Sequence, residues 1–368
     1  LALARAARTG HRPIAVVGGG TGMIGDPSGK SQERTLLDAE AIAGNVAGVR
    51  RQLEHLLGDQ VKVVNNDEWL GATSLLTFLR DTGKCFTVNY MLQKESVSRR
   101  LESEDGISFT EFSYLLLQAY DFLQLFERHQ CTLQIGGSDQ WGNITAGIDL
   151  IRKVRGGKTH GLVMPLLTTA SGVKFGKTEA GAVWLDAART SPFRFFQFWL
   201  NTDDRDVTTY LKFLTFLDVD RIGALERSVS AAPEKREAQR ALAHEMTVLV
   251  HGETASARAA HASSVLFSGD IASLSVEDVL EVFDDVPSTE LPKAEVEGAG
   301  IGLVDLLARI KLAPSKGEAR RLVQSGGVYV NNRRAADPQE RVTREQAIGG
   351  RLFVVRKGQR QNHLVRLV

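Results

Sequence analysis

The chain has 368 residues, 43% hydrophobic and 24% charged, with a formal net charge of +1. These are the proportions of a globular protein too long for one small core. No apolar run approaches the ~20 residues of a bilayer-spanning helix, and the opening Leu1-Ala-Leu-Ala-Arg carries no signal-peptide pattern. Two cysteines, Cys85 and Cys131, exclude a disulfide framework or a four-cysteine zinc site. The expectation is a cytoplasmic protein with no membrane partner and no bound metal.

In chain order, Ile14-Ala-Val-Val-Gly is a β-branched run closing in glycine, as a buried parallel strand does before a turn. Further strands are expected at Val61-Lys-Val-Val, Cys85-Phe-Thr-Val and Cys131-Thr-Leu-Gln-Ile-Gly-Gly, with helices over Ala39–Leu57 and Thr110–Arg128 between them. This alternation predicts an α/β domain with a Rossmann-like parallel sheet over 1–190, whose ligands sit beyond the strand carboxyl ends. From Ser191-Pro192 the pattern turns helical, with Phe193–Leu200, Asp206–Leu217 and Ala232–His251, giving an α-helical domain over 191–286. Residues 287–300 read as a linker. A small α+β domain then covers 301–368, with helices at Gly302–Arg309 and Lys316–Gln324 and a strand from Gly326.

Charge is unevenly spread. From Arg309 to Val368 fourteen Lys/Arg face four acids, leaving net −9 for residues 1–308. A basic end on a mildly acidic body points to a polyanion such as RNA.

Four motifs carry chemistry. Gly18-Gly-Gly-Thr-Gly-Met-Ile-Gly-Asp-Pro-Ser-Gly-Lys follows the first strand. Its glycines allow close backbone approach, its amides favour anions, and Lys30 and Arg34 add charge near a phosphate. The spacing fits neither a dinucleotide fingerprint nor a Walker loop. Tyr114, Gln118 and Asp121 fall at i, i+4 and i+7, one polar row on an otherwise apolar helix. A buried row of this kind needs hydrogen-bond partners, and a small polar ligand would supply them. Gln134-Ile-Gly-Gly-Ser-Asp-Gln-Trp-Gly-Asn puts polar groups at a strand's carboxyl end, where Asp139 could hold a ribose or cap the next helix. Lys174-Phe-Gly-Lys-Thr is a small basic loop suited to charge on a transferring phosphate.

In this order the motifs resemble those of bacterial-type tyrosyl-tRNA synthetases, class I enzymes, along essentially the whole chain. Ser315-Lys-Gly-Glu-Ala-Arg-Arg-Leu-Val and Gly327-Val-Tyr-Val-Asn resemble the small RNA-binding module that family shares with a ribosomal protein. The resemblance implies ATP-dependent activation of L-tyrosine, with Mg2+ accompanying the ATP, and transfer to tRNA(Tyr) by a homodimer. It implies that Tyr114, Gln118, Gln140 and Asp26 bind the ammonium and backbone end of tyrosine, and that Asp121 accepts from the phenol. Gly137 and Asp139 would meet ATP, Asp139 at the ribose. Lys30, Arg34, Lys174, Lys177 and Thr178 would act on the phosphates, the last three as the KMSKS signature. Arg152 and Lys153 would touch the acceptor stem, and Arg320 and Arg321 the tRNA from the basic domain.

The family's HIGH signature precedes the helix that opens this chain, and the 368 residues do not contain it. The expectation is an N-terminally truncated catalytic domain that forms tyrosyl-adenylate poorly by itself. A non-catalytic RNA-binding protein on the same fold is the alternative; tryptophanyl-tRNA synthetase is disfavoured by Asp121 and the basic end.

Overall fold

The computed structural model describes residues 1–26, 37–102, 106–170, 172, 182–268, 271, 274–283, 286–358 and 361–368. They form two compact units, Leu1–Gly181 and Ala182–Val368.

The first unit runs α1 (Ala2–Arg8), β1 (Ile14–Val17), α2 (Gly19–Gly22), α3 (Ala39–Leu57), β2 (Lys62–Asn65) and α4 (Asp67–Leu70). It continues through α5 (Leu75–Asp81), α6 (Val88–Leu92), α7 (Glu95–Leu101), α8 (Phe109–His129), β3 (Leu133–Gly137), α9 (Trp141–Arg155) and β4 (His160–Met164). The strands are parallel, as the alternation predicts. Among the described residues they pair as β1 with β2, Ile14 opposite Lys62, and as β3 with β4, Leu133 opposite His160.

One expected strand is absent. Cys85-Phe-Thr-Val closes a 3-10 turn and opens α6 instead, because Thr87 caps that helix by accepting from the Tyr90 amide. A local cap outweighs the strand preference of a short β-branched stretch.

Helix α8 organises this unit. Ser108 caps its start by accepting from the Glu111 amide, and Gln130 ends it in the left-handed region at φ 55°. Leu115, Leu116, Ala119, Phe122 and Leu123 form its buried face, packed against Ala146, Leu150 and Ile151 of α9. The helices approach closely because position 147 is glycine. A Cβ there would lie 2.9 Å from the Phe122 ring. Burying Phe122 contributes about 1.5–3 kcal/mol.

Among the described residues the second unit begins with six α-helices: α10 (Pro192–Leu200), α11 (Asp204–Leu214), α12 (Val219–Ala231), α13 (Glu237–His251), α14 (Glu253–Ser268) and α15 (Val276–Val282). Ser191 caps α10 and Pro192 occupies its first turn, where a missing N–H costs nothing. Then follow β5 (Ser288–Leu291), β6 (Ile301–Gly302), α16 (Leu303–Arg309), α17 (Lys316–Gln324), β7 (Val328–Val330), β8 (Arg333–Ala335), β9 (Arg341–Val342), β10 (Leu352–Lys357) and β11 (Gln361–Leu367). The main sheet has the order β5-β11-β10-β7-β8 and packs on the apolar faces of α16 and α17 through Leu303, Leu306, Val323, Phe353 and Val365.

Residues 287–300 therefore do not behave as a linker. Ser288–Leu291 pairs in parallel with Leu364–Leu367, and Leu291 is fully buried in the core of that sheet. The Pro and Gly residues that suggested a linker bound this short strand and shape the turns after it, where Gly298 and Gly300 take positive φ.

Candidate functional site

The carboxyl ends of β1, β2 and β3 bring the polar motifs of the first unit together. At the end of β1 the chain turns straight into α2, and the turn requires glycine. A Cβ on Gly19 would lie 2.3 Å from Asn65 Oδ1, and one on Gly20 would lie 2.9 Å from Leu70 Cδ1. Asn65 and Asn66 follow from β2. The Gly19 amide donates to Asn65 Oδ1 at 3.0 Å and the Gly20 amide to Asn66 Oδ1 at 2.9 Å. The amides that the glycine pattern offered to an anion are thus already bonded at Gly19 and Gly20. Lys30 and Arg34 lie outside the described residues, as do Lys174, Lys177 and Thr178.

Asn66 reaches further. Its Nδ2 donates to Thr21 Oγ1 at 2.8 Å and to Asp121 Oδ2 at 2.9 Å. Trp69 Nε1 donates to Asp121 Oδ1 at 2.6 Å. Asp121 is only 6% exposed. Burial pushes its carboxyl up to about 7, while the hydrogen bonds from Asn66 and Trp69 pull the other way. The partners this residue needs are supplied by the protein itself. Each carboxylate oxygen retains a lone pair for one more donor.

Tyr114 and Gln118 share the helix face with Asp121, and both are half-buried. Gln118 belongs to a second polar chain. Its Nε2 donates to Gln134 Oε1 of β3 at 3.4 Å, and its Oε1 accepts from Asn143 Nδ2 at 2.9 Å. Asn143 also reaches Gln140 Oε1 at 3.4 Å, and Gln140 Nε2 donates to Asp26 Oδ2 at 2.8 Å. Asp26, Gln118 and Gln140 come from separate parts of the chain, and the structure joins them in one hydrogen-bonded string.

Gly137 ends β3, where a Cβ would lie 2.5 Å from Asp139 Oδ1. Asp139 is exposed and does not cap the helix that follows, because Gln140 holds the N-cap position of α9 without a side-chain bond. Arg152 and Lys153 are exposed in the last turn of α9. Arg152 pairs with Asp149 at 2.9 Å, and Lys153 donates to the Cys85 carbonyl at 2.6 Å. Arg320 and Arg321 are exposed on α17.

The folded basic domain reaches back to residue 287 and so includes four further acids and Lys293, which lowers its excess from ten charges to seven. Several of its cations are paired internally, Lys316 with Asp305 at 2.6 Å and Arg344 with Glu297 at 2.8 Å. Among the described residues no cluster of His, Cys, Asp or Glu could hold a metal ion, and no helix is long and apolar enough to cross a membrane.

Asn66 and Trp69 are site residues outside the four motifs, and Gln134 and Asn143 bound the third motif without a role of their own there. Asn66 had a signal, the Asn65-Asn66 pair directly after a predicted strand and therefore at the carboxyl edge where ligands bind; Trp69 had none.

Residues 1–268 match the family model of class I tRNA synthetases for tryptophan and tyrosine, and residues 278–365 match that of the tyrosine–tRNA ligase C-terminal domain. The chain belongs to the class I tRNA synthetases, in the tyrosine branch. The tyrosine–tRNA ligase of Roseiflexus castenholzii is 57% identical over all of this chain and 88% of that protein. That of Geobacillus kaustophilus is 52% identical over all of this chain and 87% of that protein. Among solved structures, the C-terminally truncated mitochondrial tyrosyl-tRNA synthetase of Aspergillus nidulans superposes with a TM-score of 0.65 at 31% identity, covering 72% of this chain and 79% of that one. Membership makes the chain that of an aminoacyl-tRNA ligase, as its motifs imply, and the family is ATP-dependent.

Proposed function

We propose that this chain carries the tyrosine-activating and tRNA-charging machinery of a tyrosine–tRNA ligase, with L-tyrosine, Mg-ATP and tRNA(Tyr) as substrates. The observation that carries the reading is Asp121. A carboxylate buried among neutral donors, with acceptor capacity left on both oxygens, suits the phenol of tyrosine. Phenylalanine offers no donor there and would leave that capacity unused in a desolvated site. Further toward the start of the same helix face stand Tyr114 and Gln118, and with Gln140 and Asp26, which other segments bring to Gln118, they offer acceptors to the ammonium.

In the first step a tyrosine carboxylate oxygen attacks the α-phosphorus of ATP, the bond to the bridging oxygen breaks, and pyrophosphate leaves. Asp139 and Gly137 hold the nucleotide, Asp139 at the ribose. Lys30, Arg34, Lys174, Lys177 and Thr178 stabilise the charge that builds on the phosphates, so the acceleration comes from positioning and electrostatics without a covalent enzyme intermediate. Mg2+ arrives with ATP and screens the same oxygens. In the second step a hydroxyl of the terminal adenosine of tRNA attacks the carbonyl carbon of the adenylate and AMP leaves. Arg152 and Lys153 steer the acceptor stem, and Arg320 and Arg321 bind tRNA phosphates from the C-terminal domain, which makes tRNA affinity fall as salt rises.

Pairing into a homodimer would cover the apolar side chains that the first unit leaves exposed on α5 and at the start of α8, Leu75, Leu76, Leu79 and Phe109. The cytoplasm is the compartment this reading implies, in keeping with the match to bacterial tyrosine–tRNA ligases along the whole chain.

Pyrophosphate exchange dependent on tyrosine tests the reading. Asp121→Ala should abolish selection of tyrosine over phenylalanine while ATP binding persists. Equal tyrosine affinity in the variant and the parent would refute the assignment.

A further inference from the structure

Asn143 ends the Gln134-to-Asn143 motif and sits in the first turn of α9, only 4% exposed. An amide nitrogen carries two hydrogens, and Asn143 Nδ2 donates to two glutamine carbonyl oxygens, Gln118 Oε1 and Gln140 Oε1. Each glutamine therefore turns its own nitrogen the other way, Gln118 toward Gln134 Oε1 and Gln140 toward Asp26 Oδ2. The two ends of a glutamine amide have nearly the same shape and opposite polarity, so packing cannot choose between them; hydrogen-bond partners do. Asn143 makes this choice for Gln118 at 2.9 Å, and for Gln140 it acts together with the carboxylates of Asp26 and Asp139, which accept from Gln140 Nε2 at 2.8 and 3.4 Å.

We propose that Asn143 is a positioning residue of the tyrosine site, setting the amide polarity of Gln118 and, together with Asp26 and Asp139, that of Gln140. With the carbonyl of Gln118 held by Asn143, its second lone pair is left for the tyrosine ammonium. With the nitrogen of Gln140 turned to Asp26, that carboxylate is held in place as the other acceptor. Reversed polarity would aim an N–H of Gln118 at the ammonium and a carbonyl of Gln140 at Asp26, both repulsive. The inference rests on the reading of this site as the one that binds tyrosine.

A double-mutant cycle separates positioning from mere packing. Tyrosine binding is measured by equilibrium dialysis on the purified chain, with folding checked by circular dichroism melts. The variants are Asn143→Ala, Gln118→Ala and the pair, and the cycle is repeated with Asn143→Asp, which keeps the shape and replaces the donor with an acceptor. The expected result is a loss of about tenfold for either Asn143 variant in the parent background, shrinking to about twofold or less once Gln118 is alanine. Equal losses in both backgrounds would show that Asn143 acts without Gln118 and would overturn the proposal. Collapse of the fold in both Asn143 variants would overturn it as well, by making the residue a packing element. If the parent binds no tyrosine, or Gln118→Ala binds it unchanged, the tyrosine-site reading itself fails, and the role of Asn143 falls with it.

Discussion

Helix α8 buries two carboxylates and treats them in opposite ways. Glu111, in the first turn, is 2% exposed and faces Arg100, itself 3% exposed. The guanidinium reaches Glu111 with two nitrogens at 3.2 and 3.0 Å and donates from its third to the Gly106 carbonyl at 3.0 Å. Asp121, about three turns on, is held by Asn66 and Trp69, both neutral. The first arrangement balances charge with charge and ties the end of α7 to the start of α8. The second leaves a carboxylate in a desolvated place with only dipoles to satisfy it, and burial raises it to about 7. The ion pair balances charge, although Glu111 Oε2 takes part in it without a well-aligned hydrogen bond. Asp121 has a hydrogen bond on each oxygen but no counter-charge among the described residues, and it has room for a further donor.

This contrast can be broken by mutation. Glu111→Ala leaves a guanidinium buried without its counter-charge and should cost about 3–5 kcal/mol of stability, read as a fall in the denaturant midpoint. Replacing both partners, Arg100→Met with Glu111→Leu, should recover most of that loss. If the single variant unfolds no more easily than the parent, the pair is not the brace described.

The next effect belongs to pH. The folded carboxyl of Asp121 lies near 7 against 3.8 for an ordinary one. A raised acid favours the folded state while protonated, so its contribution is whole below about 3.8 and is lost as pH rises through about 7. The size is at most about 4 kcal/mol. Asp121→Asn should flatten that part of the stability profile, and an unchanged slope would contradict the assignment.

Tyrosine binding comes third. Asp121→Ala should weaken it by about 1–3 kcal/mol, whereas the double replacement at 100 and 111 should leave it within about 0.5 kcal/mol of the parent. Equilibrium dialysis on both variants would sharpen the distinction between a ligand-binding carboxylate and a structural one. The smallest effect is local: Ser108→Ala removes the cap at the start of α8 and should cost about 1 kcal/mol of stability with tyrosine affinity unmoved.

Much of this helix was legible without the fold. The helical pattern places α8 within a residue at each end, α3 and α17 are found where their patterns put them, and the row Tyr114, Gln118, Asp121 follows from helical spacing alone. The strand misread at Cys85 and the linker misread at 287–300 fail for related reasons. Thr87 was a cap before it was a strand residue, and the four residues of β5 hold their place only by pairing with β11, more than seventy positions away. β4 went unread because Gly161 interrupts a short run, and the room it leaves is taken by Ile144 of α9.

The sequence by itself determined what repeats locally: helix ends, the polar face of α8, the glycine turns after β1 and β3, and the basic bias of the last sixty residues. Its motifs were distinctive enough to point to the family. Tertiary structure alone decided the partners. Asn66 and Trp69 reach Asp121 across 55 and 52 positions, and Asn143 joins Gln118 to Gln140 across 25 and 3. The same folding showed that Gly19 and Gly20, open to an anion on paper, spend their amides on Asn65 and Asn66. Spacing along a helix is a property of the backbone and can be read from order alone. Which buried donor meets which buried acceptor depends on how distant segments pack, because every desolvated polar group takes a partner from whatever the fold brings within reach.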